Sequence, residues 1–118
     1  MMVNVEKELI RFFSETFPKI TVCADVPKTR PKRFITLERT GGRQTRFLDY
    51  PQIAVQAWAE SKLDASELAY QARQATLGLV LAPWVAAVTP GGLYSFPDPE
   101  SRQARYQFTL ELVVTTNR

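Results

Sequence analysis

A chain of 118 residues with 45% hydrophobic and 23% charged side chains has room for one modest core and suits a single domain over residues 1–118. The lack of histidine and the single cysteine remove the common general base, the usual zinc ligands and any internal disulfide. The net charge of +3 hides a polarised distribution, because Lys28, Arg30, Lys32, Arg33, Arg39, Arg43 and Arg46 face Glu38 alone between residues 28 and 46, a local +6. A positive surface for something acidic, protein or nucleic acid, is therefore expected.

In chain order, Val5, Leu9, Phe12, Phe13 and Phe17 fall near helical spacing with charged residues between them, which predicts an amphipathic helix over about residues 3–16 that ends before Pro18. Acidic residues stand where a leader has basic ones, and no segment approaches the ~20 apolar residues of a membrane span, so a soluble protein of a reducing cytoplasm is expected. "KITVCADV", β-branched and bounded by prolines, reads as a strand in which Cys23 fills space. Residues 27–33, with prolines among the cations, read as a flexible loop. "RFITLERT" alternates as a strand, and Gly41 and Gly42 supply the positive φ of a hairpin turn, with 40–46 as a flexible tip.

The returning strand alternates Ile53, Val55, Ala57 and Ala59 with Gln52, Ala54, Gln56 and Trp58, and Pro51 predicts a bulge, bend or edge position. Trp58, on the polar phase, is open to two readings: an exposed anchor in a subunit interface with Tyr50 and Gln56, or an indole packed beneath a helix. A strong helix follows, with Ala65, Leu68, Ala69, Ala72, Ala75 and Leu79 on one stripe, Ser61 or Asp64 as cap, and Pro83 as stop. The remainder predicts two antiparallel strands around "PDPES". In the second, Tyr106, Phe108, Leu110, Leu112 and Val114 share a face. The expected fold is α+β, a mainly antiparallel or mixed sheet of about 4–5 strands with two helices on one face, in the order α-β-β-β-α-β-β.

No constellation for catalysis, a metal, a cofactor or a small-molecule substrate stands out, and a non-enzymatic protein is expected. Asp49, Asp98 and Glu100 read as solvated turn residues, and the glycine pairs at 41–42 and 91–92 as hairpin turns and not phosphate cradles. Phe34, Phe47 and Tyr50 among the cations suit stacking on nucleic acid, though their alternation also suits a core.

Taken together, "RPKRFITLERTGG", "RFLDYPQIAVQAWAESKLDASELAYQARQATLGL" and "YSFPDPESRQARYQFTLELVV" resemble the small tail-terminator, or tail-completion, proteins of long-tailed bacteriophages and prophages. The likeness runs from Arg30 to about Val114 and rests on order and spacing. It implies a structural virion protein at the head-proximal end of the tail, assembled in the host cytoplasm. Copies would join as a homo-hexameric ring that caps the tail tube, stops its polymerisation and meets the head-tail connector protein, with DNA passing through the lumen. The seven cations would face the tube, the connector or the DNA. Another head-tail adaptor and a small basic nucleic-acid-binding module are the alternatives.

Overall fold

Asn4 opens the first helix by accepting the Lys7 backbone N–H on its side-chain oxygen, and Glu6 and Glu8 place negative charge at the positive end of the helix dipole. In the computed structural model, which describes residues 3–101 and 103–115, this is α1, Val5–Thr16, burying Val5, Leu9 and Phe13. Ser61 caps the second helix, α2, Lys62–Thr76, by accepting the Asp64 N–H, so of the two candidate caps Ser61 is the one used. Of the stripe read from the sequence, Ala65, Leu68, Ala69, Ala72 and Leu79 are buried, Leu79 in a 3-10 turn, Leu77–Leu81, whereas Ala75 is half-buried and Thr76 takes its place. The small side chains of the stripe let the helix lie close to the sheet.

Seven strands make one sheet among the described residues: β1 Thr21–Cys23, β2 Phe34–Gly41, β3 Leu48–Asp49, β4 Gln52–Ala59, β5 Val85–Pro90, β6 Tyr94–Ser95 and β7 Ala104–Thr115. The long β7 is the spine. It pairs β3 and β4 along one side and β5 and β6 along the other, all antiparallel, while β2 pairs β4 antiparallel and the short β1 joins β2 in parallel. The expected α+β class with a mixed sheet holds, but the strand count exceeds four to five. Each excess has a local cause. Pro51 divides the returning strand into β3 and β4, and Gly91–Gly92 divide the next one into β5 and β6. The second glycine pair is thus a break along one sheet edge, not a hairpin turn. There Gly91 donates its N–H to Thr109, and Arg73 of α2 reaches across to the carbonyls of Pro90 and Gly91.

Period-2 alternation then decides which face is dry. Ile35 and Leu37 of β2, Ile53, Val55 and Ala57 of β4, and Phe108, Leu110, Leu112 and Val114 of β7 share one core with Leu9 and Phe13 of α1 and Leu68, Ala69 and Ala72 of α2. Both helices cover this face, α1 over β1 and β2 and α2 over β4 and β7.

The first hairpin is not closed by a two-residue turn. Between β2 and β4 the chain makes an excursion in which Gln44 bridges Asp49, the Tyr50 N–H bonds to the Arg43 carbonyl, and Thr45 closes the tip on Leu48. The excursion begins at a bulge between Arg39 and Gly41 and passes through Gly42 at φ 106°, where an added Cβ would stand 1.9 Å from the Tyr50 carbonyl oxygen. Both the backbone angle and the space demand glycine. Gly42→Ala is expected to lower unfolding free energy by about 2–3 kcal/mol, measured by urea denaturation, because the clash is with backbone and not with a side chain that can swing away.

Candidate protein-interaction surfaces

On the face of the sheet without helices, four strands contribute one polar rung. Thr36, Gln56, Gln107 and Tyr94 are register partners across β2, β4, β7 and β6. The Thr36 hydroxyl donates to Gln56 Oε1 at 2.9 Å, the Gln56 amide donates to Gln107 Oε1 at 2.7 Å, and the Gln107 amide donates to the Tyr94 hydroxyl. The Trp58 indole N–H donates into the same row, to Thr36 Oγ1 at 2.9 Å. Each side chain of the rung is joined to the next by a hydrogen bond, which holds the strands in register.

Trp58 is 2% exposed although no helix lies over it. Its ring stacks on Phe34 at 5.3 Å with 9° between planes, and the guanidinium groups of Arg30 and Arg105 lie over it at 5.3 and 4.8 Å. Arg105 is the cross-strand neighbour of Trp58 on β7, and two loops hold Arg30 in place. Arg30 donates to Ser101 and Gln103 and stands 3.7 Å from Asp98, and Gln103 donates to the Pro31 carbonyl, so the loop before β2 is tied to the loop before β7. Arg105 lies over Phe96 as well. Asp98 accepts from the Ser101 hydroxyl and the Glu100 N–H, which with the nearby Arg105 and Arg30 hold its carboxyl below its ordinary value. Neither sequence reading of Trp58 describes this: the indole is neither an exposed anchor nor packed under a helix, because it points away from both helices and the loops close on it.

A second buried polar contact stands at the root of the hairpin excursion. Arg39 donates from both terminal nitrogens to the two carboxylate oxygens of Asp49, at 2.8 and 2.7 Å, and from Nε to the Gly41 carbonyl. The Asp49 side chain is 3% exposed. It is therefore not the solvated turn acid that its loop setting suggested. The bond to Asp49 raises the Arg39 guanidinium above its ordinary value, with burial opposing and the charges of Asp49 and Glu6 assisting. The sequence did carry a signal: Arg39 occupies the phase of Ile35 and Leu37, and a cation on an apolar phase needs a buried partner.

The seven cations expected to act together are thus split by role and by place. Arg30 and Arg39 are fasteners, Arg39 half-buried against Asp49 and Arg30 at the surface, where it ties two loops over Trp58. Lys28, Lys32 and Arg33 are exposed on the loop before Phe34. Arg43 and Arg46 belong to the excursion after Gly41, the first over the ring of Tyr50 at 4.0 Å and the second over Phe47 at 5.3 Å. The eight residues of β2 lie between these two groups, about 26 Å at an extended rise. Of the three residues named as an interface, Trp58 is buried, while Tyr50 and Gln56 are half-buried, one beneath Arg43 and the other in the rung. Cys23 is half-buried on the edge strand β1, its thiol raised by burial and then by Asp25.

Of the exposed apolar residues at one end of the sheet, only Phe47 stood out in the sequence, as a stacking group, and Leu77, Val80 and Leu81 did not. Phe47 is 57% exposed and Leu81 86%, with Leu77 and Val80 also open. Topology gathers them at one end: Leu48, beside Phe47, pairs with Thr115, whose N–H bonds to the carbonyl of Trp84, three residues after Leu81. Arg43 and Arg46 stand at this same end. No protein-family model matches the chain, and no curated protein matches it significantly.

Proposed function

We propose that this chain is a structural subunit that caps a phage tail tube as a ring of copies, ends tube polymerisation and forms the joint to the head connector. The observation that carries the reading is the end of the molecule where Phe47, Leu77, Val80 and Leu81 are exposed beside Arg43 and Arg46. Apolar anchors rimmed by cations suit a protein partner with an acidic border. The resemblance of the segments from Arg30 to Val114 to tail-terminator proteins supplies the identity of that partner, the tail tube. Among the described residues, β1 on one side and β5 with β6 on the other are outer strands that can meet neighbouring copies, apart from the Pro90 and Gly91 carbonyls that Arg73 occupies. In this reading Lys28, Lys32 and Arg33, about one strand length away, face the connector or the DNA lumen.

The test is Val80→Asp with Leu81→Asp in a phage or prophage that carries this chain, two exposed positions in the turn after α2 that lie outside the hairpin tip. Electron microscopy should show tails of uncontrolled length or tails without heads, with infectious particles down by about 10²-fold or more, as expected when charge is placed in an apolar contact. Tails of normal length and normal titre would remove the proposal. The exposed Lys28, Lys32 and Arg33 favour a second reading, a nucleic-acid-binding module. It requires a DNA affinity that falls steeply with salt and falls further in the Lys28→Ala, Lys32→Ala, Arg33→Ala variant.

A further inference from the structure

Leu63, Tyr70 and Leu77 recur at seven-residue spacing along α2 and into the turn that follows, and all three are exposed. That spacing returns to nearly the same line on a helix, on the side away from the buried Ala65, Leu68 and Ala72, so an apolar stripe runs along the outer surface. Its first half has an acidic border. Glu67 lies one turn from both Leu63 and Tyr70, Asp64 lies on the same flank, and Glu60 precedes the helix, with Lys62 on the other flank. The cationic loop of Lys28 to Arg33 shares this end of the sheet, but Arg30 ties it over Trp58, on the face opposite the helices.

The hairpin tip offers the inverse surface, an exposed Phe47 with Arg43 and Arg46 beside it. The tip precedes β4 and α2 begins just after it, so the eight residues of β4, about 26 Å, separate the tip from Leu63 on the same chain. One molecule cannot close the two surfaces on each other.

We infer that the Leu63–Tyr70 stretch of α2 is the seat for the Arg43–Phe47 tip of a second copy. Phe47 is the apolar anchor, Leu63 and Tyr70 are its floor, and Arg43 meets Glu67 at the rim, where opposite charges set register and discourage wrong pairings. Because the two patches differ, each copy offers one and receives the other. Such head-to-tail contacts close into a ring when the rotation per copy allows it. The inference rests on the ring reading and adds the two faces that meet. It takes Phe47 and Arg43 out of the tube contact and leaves Leu77, Val80 and Leu81 for the tube.

Light scattering and sedimentation of the full-length chain across a concentration series test it. The unaltered chain should self-associate. Arg43→Glu, Glu67→Arg and Phe47→Ala should each weaken association about tenfold or more, and Arg43→Glu combined with Glu67→Arg in one chain should recover most of the loss. In a Cys23→Ser background, Phe47→Cys chains mixed with Tyr70→Cys chains should cross-link to each other in preference to themselves. Melting temperatures equal to that of the unaltered chain separate these results from misfolding. Association that persists through all three single variants overturns the inference while leaving a ring built on other faces. A chain that stays monomeric throughout also overturns it, and tail length then decides the functional reading independently.

Discussion

Trp58→Ala is expected to lower the unfolding free energy by about 3–5 kcal/mol, the range for removing a fully buried large aromatic side chain. The loss has several sources at one point. The cavity would leave Phe34 without its stacking partner at 5.3 Å, and Arg30 and Arg105 would lose the ring that both lie over. Thr36, which is 4% exposed, would lose the N–H that its hydroxyl accepts. Trp58→Phe keeps an aromatic surface and removes the N–H, so its expected penalty is smaller, about 1–2 kcal/mol. Urea denaturation followed by the fluorescence of Trp84 would measure both. The alanine variant should also be cut by trypsin at Lys28, Lys32 and Arg33 faster than the unaltered chain, because the loop loses its seat. A destabilisation under about 1 kcal/mol would mean that the two loops do not depend on the indole.

Arg39→Ala should destabilise by about 3 kcal/mol, since it leaves the carboxylate of Asp49 buried without its counter-charge. Asp49→Ala should lose a comparable amount for the converse reason, and Arg39→Leu combined with Asp49→Leu should lose less than either single change, because neither charge is then stranded. Equal losses in the double variant and the sum of the singles would show that the two side chains act independently. The pair also limits how function can be tested. A charge reversal that includes Arg39 would place two anions together at the hairpin root and unfold the tip, so a loss of assembly would say nothing about the surface. Arg43 and Arg46, outside that pair, are the positions where charge can be changed and docking read.

Much of the fold was legible because the core obeys simple periods. Val5, Leu9 and Phe13 repeat at helical spacing, Ala65 to Ala72 mark a helix that must lie close to its support, and Phe108 to Val114 alternate along the spine of the sheet. Burial of these positions follows from local pattern alone. The surplus strands were less legible, since Pro51 and Gly91–Gly92 announce an interruption without saying whether the chain turns back or resumes along the same neighbour. Here it resumes, and β7 is long enough to pair with both pieces on each side.

The candidate surfaces show the opposite balance. Seven cations in one stretch of sequence look like one patch. The fold ties two of them, Arg30 and Arg39, into contacts within the chain and parts the rest by the length of β2, because residues adjacent in sequence diverge when a strand runs between them. The phase of Trp58 put it on the face opposite the helices, which the alternation of β4 states correctly. Its burial depended on its cross-strand neighbours Phe34 and Arg105 and on two loops about 70 residues apart in the chain, joined through Arg30, Ser101 and Gln103. By itself, then, the sequence determined the element types, the dry face of the sheet and the local excess of positive charge, all of which depend on short-range periodicity and composition. Only the tertiary structure decided which charges remain available, that Asp49 and Trp58 are interior, and that Phe47 and Leu81 share an end. Those outcomes depend on which segments meet, which local pattern does not name: the phase of Arg39 called for a buried partner without saying that Asp49 is that partner.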